Sequence, residues 1–289
     1  MHPADRLLSA IDAVGSPVCV GLDPVLEKLP SSLAGKSAAT AIAAFGCGIC
    51  QAITGIIPCV KIQSACYERF GPDGIRALDE TLATARACGL VTILDGKRGD
   101  IGISAEHYAA AMFGQNRAEW ATVNGYLGMD GVTPFLARGG AFVLVRTSNP
   151  GSDALQSRAT SSGETIAEAI ADLVSKTGKS SMGQRGFSAL GAVVGATKSG
   201  EAAALRARMP EQIFLVPGFG AQGGTVADVL PCFRHDGSGA IITASRSVIF
   251  PTGSGGADWI SPIQRAAESF AREVRDGIHG AQNANSTCA

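Results

Sequence analysis

The sequence predicts a single (β/α)8 barrel, and three observations carry that expectation. Short apolar runs alternate with longer amphipathic segments from end to end, the pattern of strand-helix units around a parallel sheet. Eight apolar runs occur, the number a closed barrel requires. The chain has 289 residues and 46% apolar content, enough for one core of barrel size. An open doubly wound sheet shares the alternation, so strand number and chain length together favour closure.

A barrel places its chemistry at the C-terminal ends of its strands, so each end can be read in turn. The first run, 17–22, ends in Gly-Leu-Asp23-Pro, and the second, 57–62, carries Lys61 in Val-Lys-Ile-Gln. The third, 91–94, is β-branched and aliphatic, as expected of a strand buried on both faces, and stops abruptly in Asp95, Lys97 and Asp100. Residues two apart on a strand share a face, so Asp95 and Lys97 point the same way if extended geometry persists through Gly96. A surface salt bridge on a loop would give the same local pattern. The fourth and sixth runs are 120–123 and 190–195. The fifth, 141–145, is followed by Arg146-Thr-Ser-Asn-Pro-Gly, the seventh, 213–216, by Pro217-Gly-Phe-Gly-Ala-Gln-Gly-Gly, and the eighth, 240–243, by Ser245-Arg246. Charge thus recurs at strand ends on one face, which a chance surface pair does not explain.

Helical candidates fall at 37–54, 72–88, 103–113, 164–176, 201–209 and 222–230, with 262–274 after the last strand. The Ser-rich stretch 151–163 and the stretch 176–187 read as surface insertions without assigned function. The barrel domain is expected to span 1–281, followed by a polar, flexible tail at 282–289.

Formal net charge is −1, with 24 basic and 25 acidic residues interspersed. That balance argues against a nucleic-acid face or a polybasic membrane anchor and points to a small-molecule partner. The first residues lack a basic segment followed by an apolar one. The stretch nearest to a membrane span, 46–60, contains Gln51 and Pro58, so the reading is cytoplasmic. Of eight cysteines, Cys47 and Cys50 form a C-x-x-C, but no second pair or nearby histidine completes a zinc set. Buried thiols are expected, and no metal.

Gly218-Phe-Gly-Ala-Gln-Gly223 matches G-x-G-x-x-G after a strand. A dinucleotide fingerprint opens a βαβ unit early in its domain, whereas here a single strand remains, and it ends in Arg246. In a barrel, the loops after strands seven and eight cradle a phosphate instead, through glycine amides at a helix N-terminus and a guanidinium fork. A phosphorylated sugar or nucleotide would span that clamp and the charged array at strands one to three.

With these residues in place, the chain resembles the orotidine 5′-monophosphate decarboxylase family, specifically its longer bacterial type, over nearly its whole length. The resemblance rests on Asp95-Gly-Lys97-Arg-Gly-Asp100-Ile101, Val60-Lys61-Ile-Gln63, Gly21-Leu-Asp23-Pro, Thr147-Ser148-Asn149-Pro, Val216-Pro-Gly-Phe-Gly-Ala-Gln222-Gly-Gly and Ser245-Arg246. One departure is Gly125, where the long type usually has proline. The resemblance implies a homodimer with shared active sites, in which Lys61, Asp95 and Lys97 serve their own subunit while Asp100 and Ile101 reach into the neighbour's. It further implies that Lys97 protonates C6 of the pyrimidine as carbon dioxide leaves. Asp23 and Lys61 are implied to contact the ribose, Ser148 the base, and Gln222 with Arg246 the phosphate, with Pro217 also against the substrate. It implies no cofactor and no metal.

The chemistry is consistent with that assignment on its own terms. Loss of carbon dioxide from C6 leaves an sp2 carbanion without an adjacent electron sink, so a preorganised ammonium is needed to stabilise it. Lysine can also deliver a proton, which arginine holds too tightly. Sugar-phosphate lyases and synthases of the same superfamily use magnesium and an acidic ligand at the end of strand two, where this chain has Lys61, a poor magnesium ligand. A phosphate-binding barrel without catalysis would not require Lys61, Asp95 and Lys97 together.

Overall fold

The structure, a computed structural model, describes residues 1–114, 118–220 and 223–286. Eight parallel strands pair in chain order: β1 (Val18–Leu22), β2 (Cys59–Gln63), β3 (Val91–Arg98), β4 (Trp120–Val123), β5 (Gly140–Arg146), β6 (Leu190–Val194), β7 (Phe214–Pro217) and β8 (Ala240–Ala244). Pairing of β8 with β1 closes the barrel, which excludes the open sheet.

Period-two alternation divides the strand side chains between two cores. Outward residues such as Val18, Val20, Val60, Ile62 and Leu94 pack beneath the helices. Inward residues Cys19, Cys59, Val91, Ile93, Trp120, Phe142, Ile213, Leu215 and Ile241 fill the barrel, with the Trp120 and Phe142 rings stacked 4.4 Å apart. At the closed end, a helix over Pro3–Val14 plugs the interior with Ala4, Leu7 and Leu8. This helix was absent from the expected elements, although Ala4, Leu7, Leu8 and Ile11 recur at helical spacing, Pro3 opens it and Gly15 ends it at φ 70°. The segment 176–187 packs there too: Gln184 and Arg185 donate backbone N–H bonds to Asp5, each at 3.0 Å.

Most helices lie close to expectation, at Ala38–Ala52, Gly71–Ala87, Gly102–Phe113, Ile166–Gly178 and Ser199–Arg208. The one expected at 222–230 is instead a single turn, Val226–Val229, leading into a tighter turn at Leu230–Cys232. Thr225 and Asp228 cap it reciprocally, and Pro231 cannot continue it. The last helix runs Ile260–Ser286, so it continues through much of the segment expected as a tail. Ala, Gln and Asn there are compatible with a helix, and no proline stops it.

Among the described residues, no helix is long and apolar enough to cross a membrane, and no group of His, Cys, Asp and Glu is arranged to hold a metal ion. Cys47 and Cys50 lie in the helix Ala38–Ala52, where burial pushes both thiols up.

Candidate active site

The charged residues at the ends of β2 and β3 converge on one carboxylate. Extended geometry persists through Gly96, so β3 is longer than the apolar run implied and carries Asp95 and Lys97 within it. Lys61 Nζ lies 2.6 Å from Asp95 Oδ2 and Lys97 Nζ lies 2.6 Å from Asp95 Oδ1. Each oxygen takes a neutral donor as well: Gln63 Nε2 donates to Oδ2 at 3.3 Å, and the Thr122 hydroxyl donates to Oδ1 at 2.7 Å. Those four donors match the acceptor capacity of an ionised carboxylate.

Asp95 is only 4% exposed and Lys61 6%, so both charges are buried. Burial alone would push the Asp95 carboxyl up, but the ammoniums of Lys61 and Lys97 overcome it and hold the group well below the carboxylate range. For Lys61, burial favours the neutral amine, and Asp95 with Asp23 reverses that and keeps the ammonium charged. The Lys97 side chain is 46% exposed and faces the barrel mouth, where a ligand can reach it.

The strand is irregular at this point. Between the pairs Leu94–Ala121 and Arg98–Val123 the β3–β4 register shifts, so Asp95, Gly96 and Lys97 lie opposite Thr122 alone. Lys97 adopts φ 45°, the one positive value at a non-glycine among the described residues. Such a conformation costs about 1–2 kcal/mol and persists only where neighbours impose it.

Above this cluster opens a cavity of about 560 Å³, in the range of small-molecule sites. Its wall brings together Asp23, Lys61, Asp95, Lys97, Ser148, Pro217 and Arg246 from strand ends far apart in sequence. Asp23 lines the wall, and its buried Oδ1 lies 3.8 Å from Lys61 Nζ in an ion pair looser than a hydrogen bond. Asp100 and Ile101 do not line the cavity of their own chain. Asp100 Oδ1 instead accepts the Ile101 N–H at 2.8 Å, and Ile101 is 57% exposed. Gln222 lies outside the described residues.

One expectation is corrected. Arg146 does not join the charged face: its guanidinium is buried among Glu201, Asp153, Ser152 and Ser157, bracing the loops after β5 and β6. The register of β5 against β6 shifts between Leu144 and Arg146, which breaks the simple alternation along the strand. Among the described glycines after β7, three amides bond within the loop. Gly220 N–H donates to Gly224 O at 2.9 Å, Gly223 N–H to Gly220 O at 2.8 Å, and Gly224 N–H to Gly218 O at 3.2 Å. Arg246 lines the same side of the cavity.

Sequence reasoning missed several wall residues. Gly151, Ser152, Leu155 and Gln156, in the stretch read as a surface insertion, line the cavity. So do Gln63, Thr122 and Thr243, whose inward direction follows from strand parity once the strands are placed.

Comparison with known proteins finds relatives over most of the chain. Residues 16–250 match the family model described as Orotidine 5'-phosphate decarboxylase / HUMPS family. A Rhodopirellula baltica protein named orotidine 5′-phosphate decarboxylase is 43% identical over 266 residues, covering 86% of this chain and 88% of the relative. A Clostridium perfringens protein of the same name is 36% identical over 254 residues, covering 85% and 88%. The solved structure of Leishmania donovani OMP decarboxylase has a TM-score of 0.80 at 30% identity, covering 96% of this chain and 99% of that one.

Proposed function

This chain belongs to the orotidine 5′-phosphate decarboxylase family, and from that membership we propose how its residues divide the work of the reaction. The reaction converts orotidine 5′-monophosphate to uridine 5′-monophosphate and carbon dioxide, a step of pyrimidine biosynthesis. The observation that carries the proposal is the Lys97 ammonium held 2.6 Å from a buried carboxylate at the edge of the cavity.

The C6–carboxyl bond breaks and its electron pair stays on C6. The Lys97 ammonium faces that developing charge, stabilises it, and then donates its proton to C6, leaving a neutral amine that solvent reprotonates. Asp95 has all four acceptor positions occupied, so it serves as a fixed counter-charge rather than a base. Asp23 and Lys61 contact the ribose, a role supported by their places side by side in the cavity wall. Ser148 reads the base beside Pro217, and Arg246 with Gln222 holds the phosphate. Binding energy from that distant phosphate orders the reacting end.

The active unit is a homodimer with shared sites, Asp100 and Ile101 of each subunit completing the neighbour's. The exposed apolar residues Ile101, Ile103, Tyr126 and Leu127, all on elements that follow β3 and β4, support that assembly. The free thiols at every described cysteine suit a reducing compartment such as the cytoplasm.

The alternative is the magnesium-dependent sugar-phosphate chemistry of the same superfamily, which Lys61 within β2 disfavours. Turnover of orotidine 5′-monophosphate by the purified chain in excess EDTA decides between them. Undiminished turnover is expected; a magnesium requirement would contradict the assignment of roles.

A further inference from the structure

We infer that Thr122 is a positioning residue for decarboxylation, its hydroxyl setting the backbone of Lys97 and the Asp95 carboxylate together. The inference rests on Lys97 as the proton donor. At the β3–β4 irregularity, Lys97 has no β4 strand partner, since Asp95, Gly96 and Lys97 share the single residue Thr122 opposite them. The Thr122 side chain substitutes for that partner: Lys97 N–H donates to Thr122 Oγ1 at 3.0 Å.

A hydroxyl has one proton to give, and its direction here is forced. An ionised carboxylate only accepts, so the Thr122 proton points to Asp95 Oδ1, 2.7 Å away. The same Oδ1 receives Lys97 Nζ at 2.6 Å. Lys97 is therefore held at both its backbone and its ammonium, through a closed ring of hydrogen bonds running by way of Thr122 and Asp95. This ring imposes the left-handed φ of 45° at Lys97, and that φ aims the side chain into the cavity. Thr122 is itself buried, at the floor of the cavity.

Valine matches threonine in shape and lacks both hydrogen-bonding functions. Thr122→Val is expected to lower kcat on the order of 10- to 100-fold through misplacement of the ammonium, with KM and uridine 5′-monophosphate affinity within about threefold of wild type. Thr122→Ser, which keeps the hydroxyl, is expected to recover kcat to within about fivefold of wild type. The inference is overturned if Thr122→Val retains wild-type kcat. It is also overturned if kcat, KM and product affinity all deteriorate together and serine recovers none of them, the pattern of a merely structural residue. Should the valine variant not fold, a folded serine variant with a kcat loss beyond about tenfold overturns the inference alone. Lys97→Ala separates the two readings. Near-normal turnover in that variant defeats the role of Lys97, whereas an inactive Lys97→Ala beside a fully active Thr122→Val defeats only the role of Thr122.

Discussion

Arg146 and Glu201 meet in a two-pronged pair, Nε to Oε2 at 2.8 Å and Nη2 to Oε1 at 2.9 Å, joining the end of β5 to the first turn of the helix after β6. The guanidinium also holds Ser152 Oγ at 2.8 Å, and thereby the loop that carries Leu155 and Gln156 to the cavity wall. Arg146→Met should therefore loosen a wall rather than remove a reacting group. A stability loss of about 1–2 kcal/mol is expected, less than for a fully buried pair because Asp153 and Glu201 are themselves exposed. KM should rise more than kcat falls. Denaturant unfolding and steady-state kinetics check this; unchanged stability and KM would contradict the bracing role.

Arg246→Ala should chiefly weaken phosphorylated ligands. Loss of a charge-assisted hydrogen bond corresponds to roughly 1.5–3 kcal/mol, so KM for orotidine 5′-monophosphate should rise about 10- to 100-fold. Turnover of orotidine, which lacks the phosphate, should be unaffected. An unchanged KM for the nucleotide would remove Arg246 from the clamp.

The buried charges set a pH dependence of stability with a definite sign. Asp95 is depressed below its usual 3.8, so its stabilisation is present above that value and is lost as pH falls through the folded one. Lys61 is raised above its usual 10.5, so its contribution is present below that value and is lost as pH rises through the folded one. Between the two usual values both contributions are constant. Unfolding titrations below the usual Asp95 value should show a shallower pH slope for Asp95→Asn than for wild type; identical slopes would mean that the native carboxylate is not stabilised by the lysines.

Shared sites predict complementation. A dimer pairing a Lys97→Ala chain with an Asp100→Ala chain has one site carrying both changes and one carrying neither. Equal mixing with free exchange makes half the dimers hybrid, so about a quarter of wild-type activity should return. No recovery, with exchange shown by a labelled subunit, would contradict the assignment of Asp100 to the neighbouring site.

The barrel was legible because buried parallel strands are short apolar runs, and its chemistry was legible because charge interrupts those runs at their ends. The apolar run 91–94 stopped short of the strand's end for the same reason: Asp95, Lys97 and Arg98 are charged, yet they continue the strand to Arg98 because the barrel mouth lets a strand carry charge. Arg146 was misplaced because the register shift after Leu144 is invisible to period-two counting. The polar stretch holding Gln156 looked like a surface insertion, yet its bonds to the Arg146 guanidinium through Ser152, Gln156 and Ser157 hold it against the cavity. Asp100 and Ile101 could be assigned only by resemblance, since one chain does not bring them to its own site.

The most direct test of Lys97 as proton donor is turnover by Lys97→Ala with uridine 5′-monophosphate binding measured on the same preparation. Decarboxylation should fall by at least about 10²- to 10⁴-fold, the usual worth of a general acid, and further because charge stabilisation is lost as well, while the product still binds. Near-normal turnover in a folded, product-binding Lys97→Ala variant would contradict it.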